Sequence, residues 1–342
     1  MSRKLITIST IMTLMSTSVI ADVPNVAADI APIHSLVSRV MDGVGAPKLI
    51  VQSGASPHGY RLRPSEAKAL QDADHVFWMG EELTPWLDSA IGTLASKASV
   101  TTLLDQQGVI LHDFREGALF EAHDHSAHGD DDHKDHDDHD DHDDHDDHDD
   151  HDDHDDHDDH DDHKDHDDHD DHGSHDPHAW LSPENAKLWL NIIASKLSVS
   201  DPENAATYFM NAAAGQAEIE VMIAEVKATL KPVQGGKFVV FHDAYQYFEN
   251  DFDFYASGAI SLGDSSDPSP ARIEKVQKRI RDEGIQCVLA EPQFKKGLVA
   301  TVMEGSDATA SVIDPLGAEL ETGPKLYTRL IKNMAKTLRN CL

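Results

Sequence analysis

Apolar residues follow two rhythms along this chain. Short apolar runs at 48–51, 76–79, 238–241, 287–290 and 311–313 have the length and the Val, Ile, Leu and Phe content of buried strands. Helix-like segments alternate with them. One opens at Arg63-Pro64-Ser65 and runs to Asp72, with Ser65 as its N-cap; others cover 183–197, 272–283 and 325–338. The longest begins at Asp201-Pro202, an N-cap followed by proline at the first helical position, and carries Tyr208, Ala212, Ile219, Met222, Val226 and Leu230 at helical steps. A helix of nearly thirty residues spans roughly 45 Å at 1.5 Å per residue, which suits a strut between two bodies. Strands alternating with helices predict an α/β chain with a parallel sheet on each side of that strut. The expected layout is 22–200 for the first lobe, 201–231 for the linking helix and 232–342 for the second lobe.

Between His123 and His178 the pattern stops. These 56 residues hold 19 His, 29 Asp and 2 Lys, and they carry most of the net charge of −35; the remainder of the 342 residues is mildly acidic and ordinary. That balance disfavours a nucleic-acid partner. From His133 the unit Asp-Asp-His recurs every three residues, placing His133, His136, His139, His142, His145, His148, His151, His154, His157, His160, His163, His166, His169 and His172 in one register. Lys134 and Lys164 interrupt it thirty residues apart within the same eight-residue string, the mark of a tandem duplication. With almost no apolar residues, the stretch 123–176 is expected to be disordered without metal. Neutral imidazoles beside carboxylates make many interchangeable sites for zinc, and copper or nickel should bind there too. The carboxylates are expected to raise the imidazole pKa values above the reference of about 6.5, so acid should weaken the tract before it weakens a preformed site.

Residues 1–21 have Arg3 and Lys4, an apolar stretch, and Val19-Ile20-Ala21 before Asp22, as in a cleaved secretory signal that leads to a periplasm. In that oxidising compartment the only two cysteines, Cys287 and Cys341, are expected to close into a disulfide holding the last residues to a core strand; two isolated thiols are the alternative.

Parallel sheets bind ligands at the carboxyl ends of their strands. Following each run in turn, the residues there are His58 in the loop after 48–51, His242 after 238–241, Glu291 after 287–290 and Asp314 after 311–313; His178 precedes a helix. Three imidazoles with a carboxylate or water fit tetrahedral zinc, whereas fewer imidazoles and more carboxylate suit manganese. Asp314 is equally suited to cap the turn before Pro315, and Glu291 is expected to be a structural carboxylate bonded to backbone amides. His34, His75 and His112 read as structural, and Trp78, Trp86, Trp180 and Trp189 as packing residues.

Five segments in order, Ser53-Gly54-Ala55-Ser56-Pro57-His58 with Leu62-Arg63-Pro64-Ser65, Asp176-Pro177-His178-Ala179-Trp180-Leu181-Ser182-Pro183, Phe241-His242-Asp243-Ala244-Tyr245, Ala290-Glu291-Pro292-Gln293-Phe294 and Asp314-Pro315-Leu316-Gly317, resemble the ZnuA family, the zinc-binding periplasmic proteins of ABC importers. The likeness covers nearly the whole mature chain. It implies two Rossmann-like α/β lobes joined by a long rigid helix. The metal would lie in the cleft between them, on His58 and His178 from the first lobe and His242 and Asp314 from the second. His242 stands where manganese-binding relatives have Glu, which favours zinc. Pro57 stands where some zinc-binding members have an acidic ligand, so the fourth place falls to Asp314, water or a tract imidazole. The family also has a disulfide at the positions of Cys287 and Cys341.

The resemblance implies capture of Zn²⁺ for a membrane permease with its cytoplasmic ATPase. A monomer is expected, with a periplasmic zinc chaperone as a further partner. The tract would serve as a zinc-gathering antenna, a buffer or sensor at high zinc, or a solubilising linker. The rivals are a manganese or iron uptake protein, a metal buffer acting through the tract, and a secreted zinc hydrolase. The hydrolase lacks support, since no His-Glu-x-x-His is present.

Overall fold

The computed structural model describes residues 23–115, 120, 175–261, 268–293 and 296–342; the signal segment 1–21 and all the repeated tract imidazoles, His133 to His172, lie outside the described residues. Two four-stranded, fully parallel sheets are built one after the other. The first contains β1 (Val26–Ala28), β2 (Lys48–Leu49), β3 (His75–Trp78) and β4 (Ser99–Thr102) in the order β2-β1-β3-β4. Its helices are α1 (Ala31–Val40), α2 (Pro64–Gln71) and α3 (Pro85–Leu94). A 3₁₀ turn, Ala179–Leu181, leads to α4 (Pro183–Ser200), and α5 (Ala205–Leu230) follows. The second sheet has β5 (Phe238–His242), β6 (Ala259–Ser261), β7 (Cys287–Ala290) and β8 (Thr309–Val312) in the order β6-β5-β7-β8. It carries α6 (Gln246–Phe252), α7 (Pro270–Glu283), α8 (Lys296–Met303) and α9 (Leu326–Cys341). The strand order is the same in both sheets, with every crossover pair parallel, so the carboxyl ends of each set share one edge.

The long helix has 26 residues in α5, close to 39 Å at 1.5 Å per residue, preceded and followed by 3₁₀ turns at Pro202–Asn204 and Lys231–Val233. Asp201 sits before the first turn, fully buried, and its Oδ2 accepts from the Asn204 amide at 2.7 Å and the Tyr208 hydroxyl at 2.8 Å. The buried stripe of α5 contains all six expected apolar residues and adds Gly215. A Cβ there would lie 2.9 Å from Leu190 and 3.1 Å from Arg39, so glycine is what lets α5 cross α4 and α1 closely. The helix is therefore a packed spine, against α1, α4 and α9, and not a bare strut. One apolar cluster runs from the first sheet across these helices into the second, while two smaller clusters cover the outer faces of the sheets.

Several expected boundaries move. Helix α2 begins at Pro64 with Arg63 as its N-cap, because Glu66 reaches back to the Arg63 amide at 2.7 Å; Ser65 lies inside the helix. Strands β1, β4 and β6 gave no clear apolar run, being three residues long or, in β4, mostly polar and half exposed. His175 and Asp176, assigned to the disordered tract, belong to the folded chain: His175 pairs with Asp113 in an antiparallel bridge, and the Asp176 amide donates to the His112 carbonyl at 2.8 Å. The disulfide is formed between Cys287 in β7 and Cys341 at the end of α9, with Cα atoms 5.6 Å apart. Ser35 in α1 ties α9 to the first half, donating to the Gly323 carbonyl at 2.7 Å and accepting from the Tyr327 amide at 3.0 Å. No helix among the described residues is long and apolar enough to cross a membrane.

Candidate metal centre

His58 rides on the loop between β2 and α2. The loop is held by the Trp86 indole, which donates to the Pro57 carbonyl at 2.7 Å, and by Tyr60, whose hydroxyl donates to Glu66 at 2.8 Å. His178 lies just ahead of the 3₁₀ turn, in a short Asp-Pro-His corner. Its backbone N–H donates to Asp176 Oδ1 at 3.0 Å, and the same oxygen lies 2.6 Å from its Nδ1. Asp176 is itself buried, its carbonyl accepting from the Tyr247 hydroxyl at 2.7 Å. His242 is the last residue of β5, a strand buried along its whole length, and pairs in register with Ser261 of β6.

These three imidazoles converge. Their ring centroids are 5.6 Å apart for His58 and His178, 5.9 Å for His58 and His242, and 4.8 Å for His178 and His242. One nitrogen from each lies within 4.8 Å of the others, the one such group of three or more His, Cys, Asp or Glu among the described residues. His178 and His242 are buried and His58 is half-buried. They line a cavity of about 20 Å³ together with Trp180, Glu291, Gln293 and Leu316. That is room for one ion or one water and for no organic solute. Trp180 packs tilted against His178 with ring centroids 5.2 Å apart and donates to the Pro315 carbonyl at 2.8 Å, which joins the first half to the second at the rim.

Asp314 is not brought into this group. Its Oδ1 accepts from the amides of Leu316 at 3.0 Å and Gly317 at 2.8 Å, and its Oδ2 from Ala318 at 2.5 Å. The carboxylate caps the turn, and Gly317 at φ +74° supplies the left-handed residue the turn needs. Glu291 departs from expectation in the other direction: it turns into the cavity, its Oε1 3.6 Å from His242 Nδ1. His34 bonds to the Pro47 carbonyl at 3.2 Å, His75 to the Ser200 hydroxyl, and His112 packs on Tyr247 with ring centroids 4.7 Å apart; none of the three joins the group.

One network behind the site was not anticipated. Arg115, eight residues before His123, reaches across to Asp243 and Glu249, which lie beside and below His242. Nε to Asp243 spans 3.1 Å, Nη1 to Glu249 spans 2.6 Å, and the Phe120 ring covers the guanidinium at 3.6 Å. Burial would lower the Arg115 pKa, yet the Glu249 and Asp243 charges raise it above the usual arginine value. Burial lifts both carboxyls, and Arg115 opposes the rise. The only sequence signal was an arginine at the edge of an acidic tract, which looks like a solvated charge.

The profile of the family described as zinc-uptake complex component A, periplasmic, matches residues 26–341. The chain belongs to the ZnuA family. A relative from Brucella abortus (strain 2308), named high-affinity zinc uptake system protein ZnuA, is 49% identical over 317 residues, covering 93% of this chain and 91% of that one. Among solved structures, a crystal structure of ZnuA aligns with TM-score 0.68 at 20% identity, over 94% of this chain and 99% of that one. The SBP FpvC from Pseudomonas aeruginosa in complex with Mn²⁺ aligns with TM-score 0.69 at 17% identity, over 93% and 98%. The ZnuA fold is thus shared with a manganese-bound protein, and the choice of ion rests on the side chains.

Proposed function

We propose that this chain is the periplasmic zinc-capture component of an ABC importer, loading one Zn²⁺ on His58, His178 and His242 and delivering it to a membrane permease driven by a cytoplasmic ATPase. The observation that carries the reading is the convergence of three imidazole nitrogens within 4.8 Å on a cavity of about 20 Å³. Three nitrogen donors favour zinc over manganese, which prefers oxygen. The chain performs no reaction in this reading; the cavity admits an ion and not a substrate. Water is the fourth ligand in this reading, since Asp314 caps its own turn and lies outside the group of three imidazoles. The His/Asp tract is an accessory that gathers ions for this site.

The test is metal content and zinc titration, in competition with a strong chelator, of the mature chain with and without residues 124–174. One tight zinc per chain in both forms, with affinity falling roughly a hundredfold or more on His242→Ala and manganese outcompeted, is the expected result. Loss of tight zinc on deleting the tract would move the binding function there and refute the cleft assignment.

A further inference from the structure

Glu291 is 7% exposed, lines the cavity beside the three imidazoles, and its Oε1 has no hydrogen-bond partner. A buried carboxylate oxygen without a donor costs free energy, and such groups call for a specific cause. The Tyr245 hydroxyl faces Glu291, and burial followed by the Glu291 charge pushes its pKa up, but neither it nor the Gln293 amide makes a hydrogen bond of normal geometry. His242 Nδ1 stands 3.6 Å from this oxygen, too long for a hydrogen bond. Across the cavity, Asp176 Oδ1 stands 2.6 Å from the corresponding Nδ1 of His178. In both imidazoles it is Nδ1 that faces a buried carboxylate.

Resting on the zinc reading above, we propose that Glu291 is a positioning residue for the ion. It accepts the Nδ1–H of His242 in the loaded state and so fixes the tautomer that presents Nε2 to zinc, as Asp176 does for His178. A carboxylate on the far nitrogen of a metal-bound imidazole sets ring orientation and raises ligand basicity. The pair also sets two negative charges behind three neutral ligands, which a divalent cation balances and a monovalent one does not. With Oε1 lacking a donor, the buried Glu291 carboxylate costs folding free energy, so this residue serves binding at the expense of stability.

The experiment uses the full mature chain, zinc-free, with Glu291→Gln and Glu291→Leu. Zinc affinity is read against a chelator strong enough to keep the weak tract sites empty; the zinc-free Tm and the visible spectrum of the Co²⁺ form are read alongside. Glu291→Gln keeps an acceptor but no charge and is expected to weaken zinc about tenfold; Glu291→Leu removes both and is expected to weaken it by about 10- to 100-fold. Both should leave the zinc-free Tm unchanged or raise it, and both should shift the Co²⁺ bands. Affinity within about twofold of wild type, or a zinc-free Tm that falls in step with affinity, overturns the inference. His242→Ala separates the two levels: if it keeps tight zinc the zinc site itself is misassigned, whereas loss there beside intact Glu291 variants removes only the role of Glu291.

Discussion

Replacing Arg115 by Met removes the guanidinium that bonds both Asp243 and Glu249 and leaves two buried carboxylates without it. The Asp243 side chain is 7% exposed and the Glu249 side chain 1%, with the Arg115 side chain at 16%, so solvent cannot take over the lost neutralisation. Breaking a buried ion pair by deleting one partner costs about 3–5 kcal/mol, because an uncompensated charge stays behind. At about 2–4 °C per kcal/mol for chains of this order of size, Tm should fall by roughly 6–20 °C. The sign of the pH dependence follows from the carboxyls. Burial already holds both above their ordinary values with Arg115 present, and removing it raises them further. A carboxyl whose folded pKa exceeds its unfolded value binds its proton more tightly in the folded chain, so stability falls as pH rises between the two values. The deficit of Arg115→Met should therefore be largest at pH 8 and shrink toward pH 5. Thermal and urea unfolding of the zinc-free protein at both pH values measure it, with Arg115→Met/Asp243→Asn/Glu249→Gln expected to regain most of the loss. A single variant within about 0.5 kcal/mol of wild type, or a deficit equal at pH 5 and pH 8, would refute the reasoning.

Two more outcomes are expected. Opening the Cys287–Cys341 link, 54 residues apart, by Cys→Ser at both positions should cost about 2–4 kcal/mol in unfolding free energy through the freed denatured chain; an unchanged urea midpoint contradicts this. Asp29 at the end of β1 is fully buried, and burial raises its carboxyl to about 7 against amide bonds from Met79 and Ile30. Because the folded chain then holds this proton up to about pH 7 and the unfolded chain releases it near 3.9, stability should fall as pH rises from 4 to 7. Asp29→Asn should flatten that slope in a Tm series across pH, and parallel profiles for the two proteins would remove Asp29 as the cause.

The candidate site was legible as far as local rules reach. His58, His242, Glu291 and Asp314 follow apolar runs, and in a parallel sheet that position alone places a residue at the binding edge. Their roles were legible only in part: the sequence leaves Asp314 open between ligand and turn cap, and each role depends on which partner the fold supplies. Asp314 lies beside a turn of its own making, where three amides within four residues bond its oxygens, and it stays outside the group of imidazoles. Glu291 has no such turn and faces His242, 49 positions earlier in the chain. Arg115 carries no local mark of burial, and only the arrival of β5 and α6 turns it into a buried clamp.

By itself the sequence determined the α/β grammar, the long helix, the cysteine pair and the three imidazoles, because these follow from periodicity, capping and residue chemistry over short spans. The tertiary structure decided that the two sheets repeat one strand order, that Gly215 permits the central crossing, and that His58, His178 and His242 share one cavity while Asp314 does not. Those outcomes depend on contacts between residues tens to hundreds of positions apart. No local preference specifies such contacts; burying one continuous apolar core across both halves does.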